Sequence, residues 1–143
     1  NLKGTRPTMD RVKESLFATI NEYLDNSVCL DLFAGSGALG IEALSTGSKE
    51  VIFVDKEYIA CKTIKSNLEI LDSNINATVL NMDYLKALDK LYPKQFDIIF
   101  LDPPYKTDYL SKTLNKIRRR RNMRKSIQKV LSFALAGAMV LQP

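Results

Sequence analysis

The sequence predicts an α/β fold in which helices cover a doubly wound, mostly parallel sheet. Three observations lead to this prediction. Short apolar runs alternate with segments of helical periodicity, a glycine-rich turn directly follows the first apolar run, and 143 residues with 45% hydrophobic content suit one domain. Because the loops after parallel strands meet in one crevice, we expect a ligand to bind at the carboxyl ends of the strands.

Each element follows from the spacing of apolar side chains. Thr8 is suited to cap a first helix, in which apolar residues recur at helical spacing up to Leu24. Short apolar runs typical of buried parallel strands follow at residues 28–33, 51–54, 78–80 and 96–101. Helical patterns alternate with them at residues 38–45, 57–71, 84–91 and 108–117. The helix over residues 57–71 is expected to bury Ile59, Ile64, Leu68 and Leu71.

The composition excludes several classes of chemistry. The chain has no histidine, which rules out a Ser-His-Asp triad, a histidine proton shuttle and a histidine-containing zinc site. Its two cysteines, Cys29 and Cys61, are isolated among apolar or helical residues, which favours reduced thiols over a disulfide. No apolar run is long enough to cross a bilayer. We therefore expect a soluble, cytoplasmic, monomeric protein without a metal ion.

The distribution of charge divides the chain into two parts. A net charge of +5 by itself suggests a nucleic-acid partner. However, residues 1–117 hold 14 basic and all 16 acidic residues, whereas residues 118–143 hold 7 basic residues and no acidic one. We predict a domain over residues 1–117 and an atypical tail, basic and then apolar, over residues 118–143.

An acidic residue lies near the carboxyl end of each of the four predicted strands. Asp31 opens a segment that contains the spacing G-x-G-x-x-G at residues 35–40, and Asp55 lies 20 residues after the first of these glycines. Asp83 and Asp102 follow the next two strands. Any one of these acids could be an ordinary helix cap, most plainly Asp55 and Asp83. Four at successive strand ends, one of them beside a glycine loop, favour a site for a nucleoside ligand.

The same glycine spacing, with an acid about 20 residues further on, also describes an NAD site. Asp31 separates the two interpretations, because a carboxylate there would repel a pyrophosphate and would hold an ammonium group. S-adenosylmethionine carries an ammonium group, a ribose and an adenine but no phosphate. We therefore predict that Asp31, Asp55 and Asp83 bind these three parts in order.

The corner at residues 102–105 has the sequence Asp-Pro-Pro-Tyr. Because proline has no N–H, this corner exposes acceptors without competing donors. Asp102 and the Pro103 carbonyl could each accept one hydrogen of a ring amino group, while Tyr105 stacks on the ring. The alternative is a plain turn with Tyr105 packed over it. Because the corner comes one strand after the predicted donor site, we favour the catalytic interpretation.

Taken together, these motifs resemble class I S-adenosylmethionine-dependent methyltransferases, and the corner resembles that of amino methyltransferases of nucleic acids. The start of the chain makes the resemblance more specific, because residues 6–17 have the sequence RPTMDRVKESLF. With residues 31–40 and 102–105, this block is similar to the bacterial family that methylates guanine N2 in 16S ribosomal RNA. The resemblance implies a Rossmann-like fold, S-adenosylmethionine as cofactor, and ribosomal RNA or a small-subunit assembly particle as partner.

The resemblance also implies a role for each matching residue. The methionine end of the cofactor would lie against Asp31, Phe33, Ala34, Gly35, Ser36 and Gly37. The ribose would lie at Asp55 and Lys56, and the adenine at Asp83 and Tyr84. The target base would lie at Asp102, Pro103, Pro104 and Tyr105. The segment with Arg6, Thr8 and Arg11 would close over donor and RNA, although by itself it is typical of an exposed helix entry.

Three other functions stay open at this stage. Adenine-N6 methylation of DNA or RNA would use the same chemistry. An NAD-dependent oxidoreductase would keep the glycine loop but has no use for Asp102 and its prolines, and a non-enzymatic RNA-binding module would need only the tail.

The resemblance covers residues 5–117, and family members normally have a β-rich segment ahead of the block at residue 6. Beyond residue 117 the basic run could be a solvated arm, a phosphate-binding arm or the product of a shifted reading frame. Gly137 and the alanines near it make the apolar end a poor replacement for two missing strands, so we expect the sheet to be incomplete at its carboxyl-terminal side.

Overall fold

The computed structural model describes residues 7–104, 108–120, 129–133 and 138–142. Within these residues, helices and strands alternate from the start of the chain to the last described helix, after which two further strands follow. The helices are α1 (Pro7–Leu24), α2 (Ala38–Ser45), α3 (Tyr58–Leu68), α4 (Tyr84–Leu91) and α5 (Tyr109–Arg120). The strands are β1 (Val28–Asp31), β2 (Glu50–Asp55), β3 (Ala77–Asn81), β4 (Ile98–Leu101), β5 (Lys129–Phe133) and β6 (Ala138–Gln142).

The strands form one sheet in the order β3-β2-β1-β4-β6-β5. The first four are mutually parallel, and β6 and β5 join them in antiparallel pairing. The chain moves outward from β1 through β2 to β3 and then returns to the other side of β1, which makes the β1/β4 boundary the switch point of the sheet. The predicted doubly wound, mostly parallel architecture is therefore confirmed.

Both faces of the sheet are buried under helices, which explains why its central strands are apolar on both sides. All four residues of β1 and of β4 are buried. On one face Phe53 and Phe100 pack with the apolar stripe of α1 and with α2 and α3. On the other face Leu30 and Ile99 pack with α4 and with Ile117 of α5. None of the helices in the described part of the chain has the length and apolar character of a membrane span.

Several boundaries differ from the sequence prediction. β1 ends at Asp31 rather than at residue 33, because the chain then turns and the Ala34 N–H donates to the Val54 carbonyl at 2.9 Å. α1 begins at Pro7, so Thr8 lies inside the first turn instead of capping it. The prediction that Ile59 is buried is wrong, since 70% of this residue is exposed. Ile64 is buried as predicted, Leu68 and Leu71 are only half-buried, and Cys61, which was not predicted, is buried on the face of α3 that meets the sheet.

The expectation that the end of the chain could not supply two strands is also wrong. β6 pairs with β4, from Ile99 opposite Leu141 to Leu101 opposite Met139, and β5 pairs with β6. Without β6, the exposed edge of β4 would carry unpaired N–H and C=O groups beside a buried apolar strand. The sheet therefore continues into the segment that we predicted as an atypical tail.

Candidate active site

A cavity of about 430 Å³ lies at the carboxyl ends of β1, β2 and β4, next to the switch point of the sheet. Its size is typical of a site for a small organic molecule. Seven of the sequence-predicted residues come together here, and two residues that sequence analysis missed join them. The lining consists of Phe33, Ala34, Gly35, Ser36, Ala38, Leu39, Asp55, Asp102 and Pro104.

The glycine loop is positioned by backbone conformations that other residues rarely adopt. Gly35 has a φ of 58° and Gly37 a φ of 84°. Gly37 donates to the Ala34 carbonyl at 2.8 Å, which closes the turn, and it is the N-cap residue of α2. Free N–H groups of the first turn of α2 therefore face the same end of the sheet as the cavity.

Asp31 lies beneath the glycine loop rather than in the cavity wall. Only 2% of the residue is exposed, and its Oδ2 accepts a hydrogen bond from the Gly40 N–H at 3.0 Å. Burial raises the pKa of its carboxyl to about 7, the Gly40 bond opposes this rise, and the charges of Asp102 and Asp55 add to it. Asp31 thus ties β1 to the first turn of α2, and its direct contact with an ammonium group stays a prediction.

Asp55 joins the end of β2 to the glycine loop. Its Oδ2 accepts the Gly35 N–H and its Oδ1 accepts the Glu57 N–H, both at 2.8 Å. Each carboxylate oxygen has a further lone pair that can accept a ligand hydroxyl. Lys56 is exposed, and its carbonyl accepts a bond from Asn81 Nδ2 at 2.9 Å.

Asp83 is the N-cap of α4. Its Oδ2 accepts the N–H groups of Leu85 and Lys86, at 3.0 and 3.2 Å. The capping interpretation that the sequence left open is therefore correct for this residue, while its contact with an adenine stays a prediction.

Three aromatic rings pack at the edge of the site. The Phe33 ring lies 5.1 Å from that of Tyr84 and is parallel to that of Tyr109 at 6.1 Å, measured between centroids. The two tyrosine rings are 4.8 Å apart. Burial raises the pKa of Tyr84, and the charge of Asp108 adds to the rise. Sequence analysis missed Tyr109, whose signal was an aromatic residue at the start of the helix that follows the proline corner.

The proline corner begins where the buried strand β4 ends. Asp102 is open to the cavity, and partial burial raises the pKa of its carboxyl above the usual range. Pro104 lines the cavity beside it, whereas Pro103 is half-buried and does not belong to the lining. Tyr105 lies outside the described residues.

The two cavity-lining residues that sequence analysis missed are Ala38 and Leu39, which lie in the first turn of α2. Their apolar character resembles that of any buried helix face, so the sequence contains no signal that marks them.

Of the predicted RNA-facing residues, Arg6 lies outside the described residues. Thr8 is placed only as part of the α1 backbone, and Arg11 is exposed on α1. The structure therefore brings seven of the predicted donor and target-base residues to one cavity, but it does not connect Arg11 to them.

The family model described as conserved hypothetical protein 95 matches residues 1–134. The match passes residue 117, so the similarity extends into the segment where we expected it to stop. The Bacillus subtilis protein YlbH is 50% identical over 116 residues, which are 80% of this chain and 63% of that protein.

Two proteins named ribosomal RNA small subunit methyltransferase D are also similar. The Haemophilus influenzae protein is 45% identical over 109 residues, covering 73% of this chain and 55% of that protein. The Buchnera aphidicola protein is 36% identical over 126 residues, covering 88% and 65%. The chain thus spans less than two thirds of the length of these relatives.

Solved structures show the same fold. The Escherichia coli protein yhhF has a TM-score of 0.78 at 26% identity and covers 98% of this chain and 87% of its own. A T. thermophilus 16S rRNA N2 methyltransferase in complex with AdoMet and guanosine has a TM-score of 0.72 at 21% identity, covering 99% and 43%. At this identity the second likeness concerns the fold alone.

Proposed function

The chain belongs to the class I methyltransferase family described as conserved hypothetical protein 95, and we propose that it transfers a methyl group from S-adenosylmethionine to the exocyclic N2 amine of a guanine in small-subunit ribosomal RNA. The relatives named ribosomal RNA small subunit methyltransferase D support the choice of substrate. Because the chain spans only part of their length, the activity itself needs a direct test.

The charge of the crevice is the observation that carries the proposal. Two carboxylates, Asp55 and Asp102, line the cavity, and Asp31 lies close enough beneath them to feel both charges. No basic side chain belongs to the lining in the described part of the chain. S-adenosylmethionine has a net positive charge at neutral pH, so this environment attracts it and repels the pyrophosphate of NAD.

The residues present also fit the shape of the donor. The first turn of α2 offers N–H groups to its carboxylate, and we assign Phe33, Ala34, Gly35, Ser36 and Gly37 to its methionine end. The ribose is assigned to Asp55 and Lys56, and the adenine to Asp83 and Tyr84. Asp31 acts on this end through its bond to the Gly40 N–H.

The donor, when bound, supplies a methyl group on a positively charged sulfur. Asp102 accepts one N–H of the guanine amine and the Pro103 carbonyl accepts the other, which turns the nitrogen lone pair toward the methyl carbon. A carbon–nitrogen bond forms as the carbon–sulfur bond breaks, and the nitrogen then loses a proton that Asp102 is placed to accept. Pro104 and Tyr105 hold the base, and Arg6, Thr8 and Arg11 are assigned to the RNA beside it.

The decisive experiment uses the full chain, tritiated S-adenosylmethionine and small-subunit RNA from a strain that lacks the enzyme. Label on a guanine N2 is the expected result, and label on an adenine N6 would replace the proposed substrate by the alternative one. Calorimetry with S-adenosylmethionine and with NAD tests the cofactor. If NAD binds and S-adenosylmethionine does not, the protein would be assigned as an oxidoreductase instead.

The variant Asp102→Asn tests the catalytic assignment. Loss of the carboxylate should lower the rate of methyl transfer by about a hundredfold or more, while the affinity for S-adenosylmethionine stays within a few-fold. Asp72→Asn removes the same charge from an exposed loop position and should leave both quantities unchanged. Full activity of Asp102→Asn would remove Asp102 from the mechanism.

We also expect a monomeric, cytoplasmic protein, which light scattering and cell fractionation would test.

A further inference from the structure

Helices α4 and α5 carry a concentration of positive charge that the proposed methyl transfer does not use. Together they hold seven basic side chains and a single acidic one, Asp89. Since the whole chain has a net charge of +5, the residues outside these two helices sum to a net charge of −1, and residues 121–129 hold four more basic side chains. The surface formed by Lys112, Lys116, Arg119 and Arg120, which line the cavities described below, is called the α4–α5 basic face.

Asp89 holds part of this face in a fixed arrangement. Its carboxylate accepts from Lys116 Nζ at 3.0 Å and from Arg120 Nε at 3.1 Å, so it links α4 to α5. The bond from Lys116 is the main reason why the pKa of Asp89 is lowered. Exposed pairs of this kind contribute little to stability. Their effect is to orient two cations toward the same surface.

Two cavities open on the basic face and share one residue, Arg119, and the two together are called the groove below. One of about 440 Å³ is lined by Tyr92, Pro93, Gln95, Arg119 and Arg120. The other, of about 270 Å³, is lined by Leu85, Lys112, Asn115, Lys116 and Arg119. Both linings combine cationic and amide donors, and neither contains a carboxylate among the described residues. Arg119 itself forms no ion pair within the described part of the chain.

An aromatic ring is exposed at one end of this groove. The Arg120 guanidinium carbon lies 5.1 Å from the centroid of the Tyr92 ring, and 48% of Tyr92 remains exposed. Cations spaced along a groove suit successive phosphates, whereas an open aromatic ring beside amide groups suits an unpaired base. A membrane surface or an acidic peptide would use the cations but has no need of the ring and the amides.

We propose that this groove, the two cavities joined at Arg119, binds a single-stranded segment of RNA. This inference rests on the proposed RNA substrate and adds a second contact surface. Tyr109, at the start of α5, stacks on Phe33 beside the active site. Arg119 lies ten residues further along the helix, about 15 Å away at 1.5 Å per residue. The groove therefore contacts RNA outside the target nucleotide, and it raises affinity without taking part in methyl transfer.

The test measures binding of a fluorescently labelled single-stranded RNA oligonucleotide to the full chain by anisotropy, without a methyl donor and at several salt concentrations. Arg119→Glu should lower the affinity at least about fivefold and should reduce the slope of log affinity against log salt by about 1 to 2. Arg119→Lys should retain most of the affinity. Tyr92→Ala should weaken binding with the slope unchanged, because stacking is not electrostatic.

The matched control is Lys62→Glu, which makes the same change of charge at an exposed position of α3, on the other face of the sheet. It should have little effect on RNA affinity. Equal losses in Lys62→Glu and Arg119→Glu would overturn the inference, as would equal displacement of the RNA by polyglutamate or by anionic lipid vesicles, because the surface would then attract any polyanion.

Methyl-transfer kinetics separate this inference from the proposed function. Arg119→Glu should raise the KM for RNA and leave kcat and the affinity for S-adenosylmethionine unchanged. If the wild-type chain is active and Arg119→Glu has an unchanged KM for RNA, the groove is refuted and the proposed function stands. Specific RNA binding through Arg119 in a chain that transfers no methyl group would support the groove and refute the proposed function.

Discussion

Asp31 offers a quantitative test of how the glycine loop is held. Its carboxyl is buried, and its Oδ2 accepts the Gly40 N–H. The variant Asp31→Asn has nearly the same shape and keeps an oxygen for this bond, but it cannot ionise. The substitution therefore removes the cost of a buried charge while it retains the link between β1 and α2.

The sign and size of the effect follow from the two pKa values of this carboxyl. In the unfolded chain it loses its proton near pH 3.8, and in the folded protein burial raises the pKa to about 7. Below pH 3.8 the carboxyl is protonated in both states, and its contribution to the free energy of unfolding is fully present. As the pH rises from 3.8 to about 7, only the unfolded chain loses the proton, so this contribution is lost. At about 1.4 kcal/mol for each pH unit, the wild-type chain loses on the order of 4 kcal/mol over this range.

Urea unfolding of the wild-type chain and of Asp31→Asn between pH 4 and pH 8.5 measures this loss. The stability of the variant relative to the wild type should increase with pH, by up to about 1.4 kcal/mol per unit, and should level off above pH 7. The comparison cancels the contributions of other titrating groups. Asp25→Asn, on the surface, is the control for removal of one charge. A difference between variant and wild type that does not change with pH would refute the reasoning.

Three further predictions concern stability, each measured by thermal or urea unfolding. Gly40→Ala should destabilise the protein by roughly 1 to 3 kcal/mol, because a Cβ there overlaps the ring of the fully buried Phe53; a neutral effect would contradict this packing. Asp83→Ala should cost about 1 kcal/mol through loss of the α4 cap, and Asp83→Asn should restore most of it; equal losses would show that the cap bonds are unimportant. Thr113→Val should stabilise by about 1 kcal/mol, because its buried hydroxyl has no hydrogen-bond partner among the described residues; a loss would indicate that the hydroxyl is satisfied.

Much of the fold could be predicted because its signals are local. Helical periodicity placed α2 and α4 at their exact bounds, and the apolar runs placed β1 to β4 within two residues. The same holds for the glycine loop, whose residues need positive φ for the turn, and for the acids that follow the strands. Ile59 was misplaced because periodicity alone does not say which side of a helix meets the sheet.

The individual roles of the acids were less predictable, because they depend on hydrogen bonds between distant parts of the chain. Asp31 reaches Gly40, nine residues away, and so lies under the loop instead of in the cavity wall. Asp55 reaches Gly35, 20 residues away, whereas Asp83 caps its own helix through local bonds that the sequence analysis had offered as an alternative. A sequence shows which acids follow strands, but it does not show which N–H groups will face them.

The sequence by itself determined the order of the elements from α1 to α5, the doubly wound class and the set of acids at one edge of the sheet, since each depends on neighbours along the chain. Only the tertiary structure decided that β6 covers the edge of β4, because that pairing joins residues 99–101 to residues 139–141. It also decided the α4–α5 basic face, in which Asp89 meets Arg120 across 31 residues. Contacts between remote segments are selected by packing and by the need to pair buried polar groups, and no local pattern records them.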